Sequence, residues 1–401
     1  MHNTHEISPN IFWVGGSERR LSRFENMFPL NNGIAYNSFV IVDEKTALLD
    51  TVDISISDLF LSNVKHALNG RTLDYLVINH MEPDHCANIV AMIRQYPQLK
   101  LIGNTKTFQF FEQFYDVDVK ANYMIVKDQD ELSLGQHTLK FYTAAMVHWP
   151  EVMMTYEKSQ KILFSADAFG TFGGLNGGVF ADECDFVLDY LSESRRYYAN
   201  IVGKFGGPVQ TLMNKLSNQE ILMICPLHGP LYRGDDLGLI LNKYEQWSTY
   251  RAEVKSVLFV YASMYNNTEV AVDTLANKLA RLGVKNMKIM DISQYDLSYV
   301  IAEVWKYSNI VLATPTYNAD VFYKMHSLLH EMAALNVQNR KFSLIFNSSW
   351  GGKTQETVMS YLEKLKNITV VGEPFNIKSA YKDHNESELD ALAKDIMDSL
   401  K

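Results

Sequence analysis

Residues 73–88 read LDYLVINHMEPDHCAN, and this stretch decides the fold of the first half of the chain. An apolar strand, 76–78, runs directly into His80, Glu82, Asp84 and His85. Four metal-competent side chains in six residues converge only if the chain turns sharply, and Pro83 favours that turn. Three later segments repeat the pattern of an apolar strand ending on a potential ligand. FYTAAMVHWP (141–150) ends at His148, KILFSAD (161–167) at Asp167, and ILMICPLHGP (221–230) at His228. Strand ends along one edge of a sheet lie side by side, so these groups can meet in one cleft. Any single histidine is more often a satisfied core or surface residue, but the same pattern at four places argues for a metal site.

Composition bounds what surrounds this cluster. The 401 residues carry 37 Lys and Arg against 46 Asp and Glu, a net charge of −9, which argues against the dense basic face that nucleic acid needs. With 47% apolar and 21% charged residues the chain is ordinary globular protein, long enough for two or three domains. No run of about 20 apolar residues offers a transmembrane helix. The N-terminal MHNTHEISPN has neither the basic start nor the apolar run of a signal peptide. Cys86, Cys184 and Cys225 form no CxxC pair, which excludes a disulfide framework or a zinc ribbon. These features predict a soluble, cytoplasmic protein that binds neither nucleic acid nor membrane.

The texture changes near 245–256. Before it lie short strands and long loops, with NIFWVGG (10–16) read as a strand and SFVIVDEKTALLDT (38–51) as a hairpin turning at Asp43 and Glu44. After it, strands and helices alternate: VLFVYAS, a helix over 268–282 with Val272, Leu275 and Leu279 on one face, KNMKIMDI, a helix near 297–306, NIVLATPTY, a helix near 321–335, KFSLIFNSS, a helix near 354–366, TVVGEPFNI, and a last helix from about 386. Strand–helix repeated five times predicts a doubly wound parallel sheet. The boundary contains no Gly/Pro linker. The glycine-rich AFGTFGGLNGG (168–178) fails dinucleotide-binding spacing and is read as a loop lining the metal cleft.

In the alternating half, YASMYNNTE (261–269) joins the first strand to a helix. Unpaired N–H groups and the helix dipole at such a junction attract anions, and Ser263, Asn266, Asn267 and Thr268 add short polar side chains. ATPTYN (313–318) and NSSWGGK (347–353) end the third and fourth strands, so all three loops fall at the carboxyl edge, where open α/β sheets bind ligands. GGKT (351–354) is not a Walker A motif, since that motif's first glycine would fall at Asn347.

The motif H-x-E-x-D-H at 80–85, followed by His148, Asp167 and His228 after later strands, resembles the metallo-β-lactamase fold, an αββα sandwich with a dinuclear site. Hydrolases of that fold carry HxHxDH and bind zinc. Here Glu82 stands at the second histidine, and together with the run HWPEVM (148–153) this resembles the flavodiiron proteins. A carboxylate in place of an imidazole hardens the site and adds negative charge, which favours iron and its ferric state. The resemblance implies one iron on His80, Glu82 and His148, a second on Asp84 and His228, Asp167 bridging the two, and His85 beside the metals. The second half resembles the flavodoxin fold with its FMN site. There Ser263, Met264, Tyr265, Asn266, Asn267 and Thr268 would cradle the phosphate. Thr314, Pro315, Thr316, Tyr317, Asn318 and Ala319, with Ser348, Ser349, Trp350, Gly351 and Gly352, would wrap the isoalloxazine, Trp350 stacking on it. The loop departs from the family pattern, which has a threonine where Met264 or Tyr265 stands.

By this resemblance the chain is α/β: a metallo-β-lactamase-like diiron domain over 1–250, then a flavodoxin-like FMN-binding domain over 254–401. The implied activity is reduction of dioxygen to water, or of nitric oxide to nitrous oxide, at a non-haem diiron site. FMN would relay electrons from a separate rubredoxin-like protein or a flavin reductase. The implied assembly is a head-to-tail homodimer or dimer of dimers, with one subunit's FMN facing the other's irons. The alternative is a zinc-dependent hydrolase with a flavodoxin-like docking domain. Glu82 speaks against it, and a hydrolase has no use for three flavin loops.

Overall fold

The computed structural model describes residues 2–401, which form two compact units. One takes the chain up to Tyr198 together with Phe205–Glu245; the other comprises Ala199–Lys204 and Gln246–Lys401. Among the described residues no helix is long and apolar enough to cross a membrane.

The first unit is built on two sheets. Seven strands, in the order His5–Ser8, Ile11–Trp13, Phe39–Val42, Thr46–Leu49, Tyr75–Val77, Lys100–Gly103 and Tyr123–Ile125, make one. Six make the other: Glu131–Ser133, Thr138–Thr143, Met153–Glu157, Ile162–Phe164, Met223–Cys225 and Tyr232–Arg233. Ile41, Leu49, Val77 and Ile102 of the first sheet share a buried core with Phe141, Phe164 and Cys225 of the second. The alternate residues Val40, Leu48, Leu76 and Leu101 are buried as well, on the face where helices Ser57–Leu68 and Thr105–Phe114 pack. Burial on both faces explains why these strands read as continuous apolar runs.

Strand direction then places the ligands. Thr46–Leu49, Tyr75–Val77 and Lys100–Gly103 are parallel, and so are Ile162–Phe164 and Met223–Cys225. Phe164 is in register with Cys225, so Asp167 and His228, each three residues further on, leave the sheet side by side. Asn79 joins the two sheets at this end: its carbonyl accepts from Met153 N and its side-chain oxygen from Thr155 Oγ1. The strand read over 10–16 is interrupted, with Ile11–Trp13 in the large sheet and Gly16–Glu18 paired with Ile34–Tyr36.

The second unit is a sheet ordered Lys288–Asp291, Val254–Tyr261, Tyr307–Tyr317, Lys341–Asn347, and then two short pieces, Thr369–Val370 and Phe375–Ile377. All these pairs are parallel, which is the flavodoxin-like order 2-1-3-4-5. The final strand, expected as one run over TVVGEPFNI, is broken. Val371 still donates to Phe342 O, but Gly372, at φ +73, and Pro374 break the pairing over 372–374 between the two pieces. Helices Asn267–Arg281 and Glu386–Ser399 pack together over one face of the sheet.

Asp50 supports the loop that carries His80. Fully buried at the end of Thr46–Leu49, it accepts from Asn79 N (2.7 Å), Asn79 Nδ2 (2.7 Å) and His80 N (3.1 Å). Removing it leaves three buried donors unpaired. Asp50→Ala is expected to lower the unfolding free energy in urea by roughly 2–3 kcal/mol; an unchanged midpoint would mean the 79–80 turn does not depend on this carboxylate.

Candidate metal centre and cofactor cleft

At the joined strand ends, metal-competent atoms collect in two groups. His80, Glu82, His148 and Asp167 offer atoms all within 4.8 Å of one another, and so do Asp84, His85 and His228. In the first group His80 Nε2 and His148 Nε2 each lie 3.1 Å from Glu82 Oε2. Asp167 Oδ2 lies 3.4 Å from His80 Nε2 and 3.1 Å from His148 Nε2. The other oxygen, Oδ1, faces the second group: it is 3.0 Å from His85 Nε2 and 3.6 Å from His228 Nε2. Asp84 Oδ2 is 3.3 Å from each of those two nitrogens. One carboxylate thus presents one oxygen to each group.

The fit to metal ions follows from what these atoms lack. Both Asp84 oxygens, Asp167 Oδ1, both His85 nitrogens and His228 Nε2 are buried without a hydrogen-bond partner. Buried polar atoms are otherwise paired almost without exception, so a cluster of orphans aimed at common points fits cations. Outer contacts fix the rings, with His80 Nδ1 2.7 Å from Glu151 Oε1 and His228 Nδ1 2.9 Å from the carbonyl of Ala35. Phe24, Tyr36 and Tyr197 pack around His228 at ring distances of 5.2–5.5 Å, and Phe172, from the glycine-rich loop, packs on both Phe24 and Tyr197. The turn after His228 requires glycine. Gly229 has φ +77, and a Cβ there would overlap Thr171. Met146 and Ala166, shortly before His148 and Asp167, also adopt left-handed backbone, a cost tolerated where geometry is over-determined.

In the second unit a cleft of about 190 Å³ opens at the carboxyl edge. Asn266, at φ +64, turns the chain into helix Asn267–Arg281. Ser263 Oγ is buried and unpartnered beside that N-terminus, a donor suited to a phosphate. Thr316 and Pro315 line one wall, Ser348, Ser349 and Trp350 another, and Trp350 is 67% exposed, free to cover a flat ring. Gly352 lets the two walls meet, since a Cβ there would lie 2.6 Å from Thr316 Cγ2.

Every metal-ligand candidate read from the sequence falls in one of the two groups, and His85, placed only beside the metals, belongs to the second. Of the cleft candidates, Ser263, Met264, Tyr265, Asn267, Thr268, Pro315, Thr316, Ser348, Ser349 and Trp350 line the cavity. Asn266, Thr314, Tyr317, Asn318, Ala319, Gly351 and Gly352 do not line it. Thr314 is buried and donates to Pro315 O, while Asn318 and Ala319 form the turn into Asp320–Val321. Two lining residues are absent from the sequence-based set. Asn347 donates to Thr268 Oγ1 and to the carbonyl of Ser379, and Ser379 donates to Ser349 Oγ. Ser379 follows the final strand, so the rule that found the other loops applies to it too. Asp50 and Glu151 are also absent: Glu151 lies inside the run HWPEVM (148–153) but is assigned no role there, and nothing in sequence distinguishes Asp50 from other acidic residues.

Burial alone would raise the Asp167 carboxyl, but the charges of His85 and His80 and hydrogen bonds from His148 and His80 hold it well below the carboxylate range. Burial alone would depress the imidazoles. The charges of Asp84 and Asp167 outweigh it at His85, and hydrogen bonds to Asp167 and Glu82 outweigh it at His148, pushing both up to about 9. In the metal-free chain these charged imidazoles stabilise the fold fully below about pH 6.5, and the gain is lost as pH rises through about 9. Ligation needs them deprotonated, so metal affinity has the opposite slope. His148 and His85 lie in different groups, so Co²⁺ affinity at each position of the metal-stripped chain is expected to climb by about one decade per pH unit for its ring as pH rises towards about 9. A flat profile would remove both rings from ligation.

Residues 34–229 match a family model described as ODP family beta lactamase. Over 372 residues the chain is 31% identical to a nitric oxide reductase of Moorella thermoacetica, covering 92% of this chain and 91% of that one. It is 30% identical to an anaerobic nitric oxide reductase flavorubredoxin of Aliivibrio salmonicida, covering 92% of this chain and 74% of the relative. Among solved structures, the rubredoxin oxygen:oxidoreductase of Desulfovibrio gigas superposes with a TM-score of 0.92 at 25% identity, covering 99% of this chain and 98% of that one. The flavodiiron protein of Giardia intestinalis does so at 0.90 and 25%, with the same coverage. A shared architecture over almost the whole length, with two groups of ligand atoms joined through one aspartate, places this chain in the flavodiiron protein family of oxidoreductases.

Proposed function

We propose that the chain reduces dioxygen to water, nitric oxide to nitrous oxide, or both, at a non-haem diiron site, with FMN relaying the electrons. The observation that carries this reading is Asp167, whose two oxygens face two separate groups of buried, unsatisfied ligand atoms. His80, Glu82 and His148 would hold one iron, and Asp84, His85 and His228 the other. Two irons and a two-electron flavin together supply the four electrons that dioxygen needs, or the two that a pair of nitric oxide molecules needs. The protein's part is to fix the ligands and exclude bulk water. Phe24, Phe172 and Tyr197 wall the His228 side, and the Tyr197 hydroxyl is buried without a hydrogen-bond partner.

The cleft in the second unit would hold FMN, with Ser263, Thr268 and the helix N-terminus on the phosphate and Trp350 against the ring. A head-to-tail dimer would bring one subunit's flavin to the other's irons. Exposed apolar side chains at both places support it: Met146, two residues before His148, and Met264, Tyr265, Tyr317 and Trp350 around the cleft. The electron donor would be a rubredoxin-like protein or a flavin reductase in the cytoplasm. That relatives of the chain are a nitric oxide reductase and a rubredoxin oxygen:oxidoreductase supports both gases as substrates.

The test is anaerobic reduction of the purified chain followed by addition of each gas, with consumption followed by electrode. Asp167→Ala is expected to abolish consumption of both while flavin stays bound; turnover at the wild-type rate would refute the diiron assignment. Trp350→Ala is expected to weaken FMN binding by about tenfold and leave iron content unchanged. Unaltered flavin affinity would take Trp350 out of the site.

A further inference from the structure

The two groups of ligands are not equivalent beyond the atoms that would touch metal. In the first, the His80 ring has its far nitrogen, Nδ1, 2.7 Å from Glu151 Oε1. A carboxylate can only accept here, so Nδ1 carries the proton and Nε2 is the nitrogen left for a cation. Both side chains are wholly buried. Met81 N donates to the same oxygen at 3.0 Å, and Glu151 Oε2 is buried with no hydrogen-bond partner. Among the described residues, no lysine or arginine pairs with Glu151. In the second group, the corresponding proton of His228 goes to the neutral carbonyl of Ala35, and His85 Nδ1 has no hydrogen-bond partner at all. The first position therefore carries a second buried carboxylate hydrogen-bonded directly to one of its rings, which the other lacks.

We propose that Glu151 is a positioning residue that makes the two metal positions unequal. It locks the His80 tautomer and gives the His80–Glu82–His148 position the tighter hold on a divalent cation and the lower reduction potential. The inference rests on the diiron reading above and deepens it. A hydrogen bond to a carboxylate raises the basicity of a metal-bound imidazole more than one to a carbonyl does. An additional buried anion also favours the more highly charged metal ion, because the low-dielectric interior screens it weakly. An iron held by Asp84, His85 and His228 would then be the easier of the two to reduce.

Glu151→Gln separates this role from a structural one, because the amide oxygen can still accept from both His80 Nδ1 and Met81 N while the charge is gone. Titrating the metal-stripped full chain with Co²⁺, followed by visible absorption, is expected to show one of two binding steps weakened by about 10–100-fold and the other unchanged. In the iron-loaded protein, a redox titration followed by electron paramagnetic resonance should show the lower potential raised and the two drawn together. Unchanged affinities and potentials, or equal losses at both steps, would overturn the proposal. A measurement on the wild type keeps it testable if the variant does not fold. One equivalent of Co²⁺, located by anomalous diffraction, should occupy the His80 side, and occupancy of the His228 side would contradict us. Should the wild type take up only one ion, the two-metal reading fails, while the place of that ion still decides the role of Glu151.

Discussion

Uncompensated buried charge is the constraint on which the first unit depends. Glu82, Asp84, Glu151 and Asp167 are buried together with four histidines, and no lysine or arginine is paired with any of them among the described residues. Isolated carboxylates in such surroundings cost several kcal/mol each. In the metal-free chain protonated imidazoles meet part of that cost. Two divalent cations would match the four carboxylates and leave the imidazoles neutral, which is the state ligation requires. Asp167 sits at the centre because it alone addresses both groups.

The fold answers that constraint with backbone rather than with side-chain length. Parallel pairing of Ile162–Phe164 with Met223–Cys225 sets Asp167 next to His228, and parallel pairing of Thr46–Leu49 with Tyr75–Val77 sets Asp50 under the loop that carries His80. Asn79 then joins the two sheets at that same end. The second unit repeats the strategy, with loops after successive parallel strands converging on one edge, but its loops offer hydroxyls and a helix N-terminus instead of imidazoles and carboxylates. A phosphate and a flat ring need those donors and no metal.

Much of this was legible in the sequence, because an apolar strand that stops at a histidine or aspartate reports both an element and the place where it ends. His80, His148, Asp167 and His228 are found that way. Glu151 is not, since its partner His80 lies 71 residues away and only tertiary structure brings the two together. The same holds for Asp50 beneath Asn79. In the second unit, the loop sequences name the neighbourhood but not which side chains face the cavity. Asn318 and Ala319 turn the backbone, whereas Ser379 enters from a strand whose break at Gly372 disguises its end.

On the proposed reading, one chain carries both a pair of irons and a flavin. Elemental analysis of the purified protein, together with the spectrum of the released cofactor, tests it most directly. About two irons and one FMN per chain are expected. Zinc without flavin would contradict it and return the metal site to hydrolytic chemistry.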